Sequence, residues 1–333
     1  MLDIRPADAG SLGAGRQARP FRSPRSFSLP MHVRKAVITA AAPKQNRLPL
    51  QQLVDRQGEE KSALQLVTDE FFAAGIEEIC VVVRPGDQDA YAAAAGGSGG
   101  SIRFAVQAEP RGYADAILSA ADFIGDDAFL HSVGDHVYLS TTEQTCAEQL
   151  VAIAAQRDCC VSAVQATRET NLAQFGIVSG PHLPREDRLY DVQTVIEKPT
   201  PTLAEQDLVT PGLRSGYYLG FFGMHVLTAD VMTLLAEVTA EPGDGGSEFG
   251  DGGSEPRDAP EFGVGPTLSD ALSRLPGRTR YLAAELCGTR YNLGVKYGLL
   301  KAQLAIGLAG DDRDQILSDM VEMLAMRKEV GVA

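Results

Sequence analysis

Ile79-Cys80-Val81-Val82-Val83 is an unbroken apolar run, mostly β-branched, with no polar residue alternating between its members. A strand with one face in water alternates apolar and polar side chains, so a run of this kind reads as a strand buried on both faces, as in a parallel sheet covered by helices. The segments around it keep the same rhythm. Residues 36–41 are strand-like, residues 62–74 place Leu64, Val67 and Phe71 at helical spacing, and Gly75 follows where glycine commonly ends a helix. Residues 102–106, 128–133 and 160–166 read as further strands, with helices expected over 113–121 and 142–155. This alternation predicts an α/β chain built on a doubly wound, mostly parallel, Rossmann-like sheet.

Beyond residue 166 the pattern is richer in strands, expected at 175–178, 189–197 and 217–225, and a strand-rich lobe follows from it. Helical spacing returns at 295–308 and 315–324, where Ile316, Leu317, Met320, Val321 and Leu324 share one face that should pack on the body or on a second subunit of a homo-oligomer. The first 31 residues carry Arg5, Arg16, Arg19, Arg22 and Arg25 among Gly, Ser and Pro without any period, and read as a disordered extension, from a transit peptide or an early start codon. One domain is expected over 32–325, with a first half at 32–166, a second at 167–295 and C-terminal helices at 295–325. Within it, residues 241–265 repeat Gly-Asp-Gly-Gly-Ser-Glu almost side by side, without the alternating ligands of a calcium loop, and read as a flexible acidic loop.

A chain of 333 residues with 44% hydrophobic residues has ample material for a core. Its net charge of -14 argues against a nucleic-acid-coating protein, which needs clustered Lys and Arg, so an anionic ligand must meet a few placed cations or a metal. The five cysteines have no metal-ligand spacing and several lie in apolar runs, which suits reduced thiols in the cytoplasm. No apolar run reaches the roughly 18 to 20 residues that span a bilayer, and no secretory signal opens the chain, so no membrane partner is expected.

Three segments carry candidate chemistry. Val133-Gly134-Asp135-His136 ends an apolar strand in a carboxylate, at the carboxyl edge where open α/β sheets bind ligands; Asp135 is placed for a magnesium-bound triphosphate or, equally, for a turn or helix cap. His136 is a possible base, or a satisfied polar neighbour. In Thr194-Val195-Ile196-Glu197-Lys198-Pro199, Lys198 suits a sugar phosphate and Glu197 sugar hydroxyls; a strand-end surface pair is the plainer alternative. In the stretch from Val106 to Ala116, Gln107 offers donor and acceptor to a pyrimidine edge and Gly112 permits close backbone approach, although each is also an ordinary turn residue.

In this order the segments resemble the nucleotide-sugar pyrophosphorylase family, most of all its bacterial UTP:glucose-1-phosphate uridylyltransferases. The resemblance runs from about Arg34 to Leu324 and includes Lys35-Ala36-Val37-Ile38, Phe175-Gly176-Ile177-Val178, Leu268-Ser269-Asp270-Ala271 and Arg290-Tyr291-Asn292-Leu293-Gly294. It implies a nucleotidyltransferase fold and a reaction in which a sugar 1-phosphate attacks the α-phosphorus of UTP and releases pyrophosphate, with Mg2+ as cofactor. It further implies that Gln107 and Gly112 read uracil, with Ala41 and Ala42 beside the nucleotide, that Asp135 binds magnesium, that Gly176 and Glu197 contact the sugar, and that Lys198 holds the sugar phosphate.

Three positions depart from the family pattern. The glycine-rich Gly-x-Gly-Thr-Arg turn is replaced by the shorter run Ala42-Pro43-Lys44-Gln45-Asn46-Arg47, where Lys44 and Arg47 either replace the backbone cradle with charge or are solvated loop cations. Asn292 stands where the family has a second metal-binding Asp, and its amide oxygen can still ligate magnesium with one negative charge fewer. Gly265-Pro266-Thr267-Leu268 replaces a Glu-Ile-Gln-Leu segment and removes a sugar-binding carboxylate. Two readings follow: an active sugar-1-phosphate uridylyltransferase, or a catalytically impaired homologue that binds nucleotide sugars or regulates.

Overall fold

The computed structural model describes residues 31–43, 45–97, 101–241 and 265–329, the side chains of 327–329 excepted. Nearly all of the expected Arg-rich extension and acidic loop, and all of Lys44, lie outside the described residues.

The strands are β1 (Lys35–Thr39), β2 (Gln52–Val54), β3 (Glu60–Ser62), β4 (Glu78–Val83), β5 (Ser101–Val106), β6 (Phe129–Val133), β7 (His136–Ser140) and β8 (Cys160–Arg168) in the first half. The second half adds β9 (Gly176–Ser179), β10 (Leu189–Asp191), β11 (Thr194–Glu197), β12 (Tyr217–Leu227), β13 (Tyr281–Glu285) and β14 (Gly288–Asn292). The helices are α1 (Ala63–Ala73), α2 (Gln88–Ala95), α3 (Tyr113–Leu118), α4 (Ala121–Ile124), α5 (Cys146–Arg157), α6 (Pro201–Asp207), α7 (Ala229–Ala240), α8 (Leu268–Leu272), α9 (Gly298–Leu308) and α10 (Arg313–Glu329).

The main sheet runs β10-β13-β8-β12-β6-β1-β4-β5. Its β6-β1-β4-β5 part is wholly parallel, as the double burial of residues 79–83 requires. Alternate residues of one strand feed opposite layers: Ile79, Val81 and Val83 join Phe71 and Leu150 on one side, while Cys80 and Val82 join Ile117 and Phe129 on the other. The sheet is mixed as a whole, because β12 runs antiparallel to both β6 and β8.

β12 also forks the sheet. Its C-terminal half, Met224 to Leu227, pairs with β6, whereas Leu219 and Gly220 pair with β9, which carries β11. A register shift between Phe221 and His225 separates the two halves. The fork opens a cleft between the β1-β6 edge and the β9-β11 ribbon.

Local chemistry explains where the elements depart from their expected bounds. The helix expected from 142 starts at Cys146, because Thr145 forms a capping box with Glu148. Ser62 and Gln65 do the same for α1. Glu70 of α1 then accepts the Ala147 amide at 3.0 Å, tying α1 to the start of α5. The strand expected over 189–197 divides at Val192 and Gln193, whose amides bond Tyr281 and Ser179 respectively, so the chain passes from one sheet partner to another. Of the apolar stripe on α10, Ile316 lies against Gly307 of α9, while Leu317, Val321 and Leu324 are exposed. Among the described residues no helix is long and apolar enough to cross a membrane. All five cysteines are free, and all but Cys287 are buried.

Candidate functional site

β1 and β6 end side by side, and the Gly134 amide bonds Thr39 O at 2.9 Å, which brings the chain after β1 next to Asp135. The turn that follows holds itself together. Gln45 and Asn46 donate to Ala42 O, Leu48 to Gln45 O, Leu50 to Arg47 O and Gln51 to Leu48 O. Asn46 also bonds Asp87 at 2.7 Å, and the Tyr91 hydroxyl donates to Asn46 O at 2.5 Å. Those amides are therefore not free to cradle a phosphate. Arg47 is exposed.

Gln45, which sequence reasoning passed over, is buried with no partner for its Nε2. That nitrogen lies near Gly294, as does Asn292 Oδ1. A buried orphan donor beside a candidate metal ligand is the strongest polar feature that the turn presents.

Thr39, Ala41, Ala42 and Pro43 form one wall of a small cavity, and Gln107, Pro110, Gly112, Tyr113 and Ala116 the other. The four expected nucleotide-binding residues thus meet in one place. Gly112 has φ 111°, a conformation that side chains rarely adopt, and Gly265 and Pro266 pack against it. The Gln107 side chain is more committed than its sequence suggests: Nε2 donates to Gly112 O at 3.1 Å and to Asp115 Oδ2 at 2.8 Å. Both amide hydrogens are thereby engaged, and only Oε1 remains, so Gln107 offers an acceptor and no donor. The cavity measures about 20 Å³ and must widen to take a pyrimidine.

Asp135 is buried, and its Oδ1 meets His136 Nδ1 at 2.7 Å. His136 is accordingly a neighbour of the carboxylate, oriented by it. Asn292 stands opposite His136 in the β7-β14 ribbon, and the Leu293 amide bonds Asp135 O at 2.8 Å. The backbones of the two expected metal ligands are therefore neighbours, while their side chains bond elsewhere: Asp135 Oδ1 to His136 and Asn292 Oδ1 to the Gly294 amide at 2.7 Å. Among the described residues no group of three or more His, Cys, Asp or Glu could hold a metal. One carboxylate with an amide oxygen nevertheless fits magnesium, which typically takes one or two carboxylates and completes its shell with phosphates and water.

Of the residues expected to contact a sugar, Glu197 of β11 pairs with Gly176 of β9. A side chain at Gly176 would meet Phe221 and Ser269 at 2.6 Å and Glu197 at 2.8 Å, so only glycine fits between these three side chains. Ser269 donates to Glu197 Oε2 at 2.5 Å. Burial pushes the Glu197 carboxyl up, while the Ser269 bond and the Lys198 charge hold it down. Lys198 takes φ 45°, unusual for a non-glycine residue, and its amide bonds Phe175 O at 3.1 Å.

Tyr113 links the two sides. Burial raises its phenol well above the ordinary range, and the charges of Tyr138, Asp135 and Glu197 add to the rise. Its phenol therefore feels the charge of both carboxylates, Asp135 and Glu197. Tyr113, Asp115 and Ser269 all lie within segments that sequence reasoning had marked, but their roles depend on contacts that no spacing encodes.

The family model described as nucleotidyl transferase matches residues 48–252 and begins just past the altered turn. A UTP–glucose-1-phosphate uridylyltransferase of Streptococcus pneumoniae is 25% identical over 303 residues, covering 83% of this chain and 91% of that protein. The crystal structure of a UDP-glucose pyrophosphorylase complexed with UDP-glucose superposes with a TM-score of 0.62 at 19% identity, covering 82% of this chain and 98% of that one. A UTP-bound UGPase from Acinetobacter baumannii gives 0.63 at 21% identity, with 87% and 99% covered. These solved structures share the fold, and with a family match over more than half its length the chain belongs to the nucleotidyl transferase family of enzymes.

Proposed function

We propose that the protein is a uridylyltransferase that joins UTP to a sugar 1-phosphate, glucose 1-phosphate being favoured, to give a UDP-sugar and pyrophosphate. The observation that carries this reading is the fixed orientation of Gln107. With Nε2 held by Asp115 and Gly112 O, its Oε1 is an acceptor, which suits the N3–H donor of uracil and not the bare N3 of cytosine. The names of the relatives, a UTP–glucose-1-phosphate uridylyltransferase and a UDP-glucose pyrophosphorylase, point the same way.

In this reading Ala41, Ala42, Gln107 and Gly112 hold the nucleotide, while Gly176 and Glu197 position the sugar ring. Lys198 pairs with the phosphate of the sugar, one of whose oxygens attacks the α-phosphorus. The bond to the bridging oxygen breaks, and pyrophosphate leaves. No protein base is needed, because the attacking phosphate is already ionised at neutral pH; catalysis is positioning and charge neutralisation. Asp135 and the Asn292 amide oxygen would hold Mg2+, which when bound would supply positive charge against the triphosphate. Arg47, the buried Gln45 amide and Lys44 supply donors where a glycine cradle is missing.

One observation favours the second reading, a nucleotide-sugar-binding homologue with impaired chemistry: the amides of Gln45, Asn46, Leu48, Leu50 and Gln51, in the turn after β1, are bonded within it. A pyrophosphate-release assay across the four nucleoside triphosphates and a panel of sugar 1-phosphates decides between the two. Turnover is expected with UTP. No turnover with any pair, alongside calorimetric binding of UDP-glucose, selects the second reading; absence of both sinks each of them.

A further inference from the structure

A second cavity is larger than the proposed nucleotide pocket. It measures about 400 Å³, within the range of small-molecule sites, and lies between the end of β8, the turn after it, β14 and the start of α9. Three cations line it, Arg168, Arg290 and Lys301, and no carboxylate does. That is conspicuous in a chain with 44 acidic and 30 basic residues.

Arg290 is buried, and it has no carboxylate partner among the described residues. Its guanidinium bonds Phe221 O, Gly220 O at 3.4 Å and Thr167 Oγ1 at 3.5 Å, and lies 3.7 Å from the centroid of the Phe175 ring. Neutral acceptors compensate a buried cation only in part, which leaves a standing attraction for an anion in the cavity that it lines. Burial accordingly pulls its pKa down to about 10. At the mouth, Arg168 donates to the Tyr217 hydroxyl at 3.0 Å, and Lys301 is exposed. Asn171 and Gln174 add amides that match hydroxyl groups.

The cavity is separate from the proposed sugar site. Gly220 and Phe221 are neighbours on β12 and face opposite sides of the sheet. A side chain at Gly220 would point at Thr167, on the Arg290 side, whereas the Phe221 ring meets Gly176 on the side of Glu197 and Ser269. None of Gly176, Glu197, Lys198 and Ser269 lines the cavity, but Asn292 does.

We propose that this cavity is a second binding site, for a phosphorylated carbohydrate, with Arg290, Arg168 and Lys301 taking the phosphate and Asn171, Gln174 and Tyr217 the hydroxyl-bearing body. Because Asn292 borders both the cavity and the Asp135 ribbon, occupancy is felt at the proposed metal position. The site goes beyond the uridylyltransferase reading and does not depend on it.

The probe is glucose 6-phosphate, which has no anomeric phosphate to act as the nucleophile. It is titrated calorimetrically into the full chain, with and without UDP-glucose, and into Arg168→Gln, Lys301→Gln and Glu197→Gln. Binding should persist in UDP-glucose, weaken about tenfold in each of the two cation variants, as loss of a charge-assisted bond predicts, and stay unchanged in Glu197→Gln. Displacement by UDP-glucose together with loss in Glu197→Gln would place the ligand in the substrate cleft and overturn the proposal. Absence of binding to the wild type would overturn it too, as would equal affinity for inorganic phosphate. Failure of the transferase reading is visible separately, as absent UDP-glucose binding and turnover.

Discussion

In the turn after β1, the amides of Gln45, Asn46, Leu48, Leu50 and Gln51 all reach carbonyls of the turn itself, whereas at the ends of β9 and β11 Glu197 meets Ser269 of α8 against Gly176, where only glycine fits. Both regions border one cleft and both descend from strand ends. The difference lies in which part of the chain does the binding. A site made of backbone depends on local conformation and is lost when glycines go; a site made of side chains on paired strands survives as long as the register does. In the turn those five backbone amides are spent on the turn itself and the unpartnered donor is a side chain, Gln45 Nε2, whereas Glu197 is held at a strand end by a side-chain partner.

The sharpest way to test that contrast is at the junction of the two regions. Asp135→Ala should lower turnover on the order of 10²–10³-fold, the scale of losing one preorganised charge-stabilising group, measured by pyrophosphate release at saturating UTP. Unchanged turnover would remove Asp135 from the chemistry. Next, Arg47→Gln should cost about tenfold in kcat, with a smaller loss at high salt, if side-chain charge has replaced the backbone cradle. An Arg47→Gln enzyme equal to wild type would mean that the turn contributes no charge, and the contrast would become absolute.

On the strand-end side, Ser269→Ala leaves Glu197 without its hydroxyl donor and should raise KM for the sugar phosphate about fivefold with little change in kcat, as loss of a single neutral hydrogen bond predicts. A fall in kcat with KM unchanged would show that Ser269 acts in the transition state instead. The smallest effect lies away from the cleft, at Glu70. Burial raises its carboxyl from the ordinary 4.5 to about 7. The folded protein therefore binds a proton that the unfolded chain releases, and stability falls as pH rises through that window. Wild type should lose a few degrees of melting temperature between pH 5 and 8, and Glu70→Gln should flatten that slope. Parallel slopes in the two proteins would remove Glu70 as the cause.

The parallel core was legible in advance because residues 79–83 admit few other environments, and so was the helix expected over 62–74; the start of α5, expected at 142, was not, because the Thr145 capping box that sets it at Cys146 is a local hydrogen-bond arrangement that spacing does not show. The fork in β12 was not. Residues 217–225 read as one uniform strand, and nothing in that run states that half of it pairs with β6 and half with β9. Gly112 and Gly176 were legible as glycines in marked segments, but the pinning of Gln107 by Asp115 depends on the turn between them. Arg290 was visible only as part of a resemblance; its burial against Phe175 is a tertiary fact. Gln45 carried no signal, because a glutamine in a polar turn looks solvated until β14 is laid beside it.

β12 has one further consequence. Its upper half supports the sugar ribbon, and its lower half is hydrogen-bonded to the strand that delivers Asp135. The two proposed substrate positions are thus spaced by a single continuous peptide, with no hinge loop between them. Such a gauge sets the spacing of the two proposed positions through the backbone itself, before either ligand arrives.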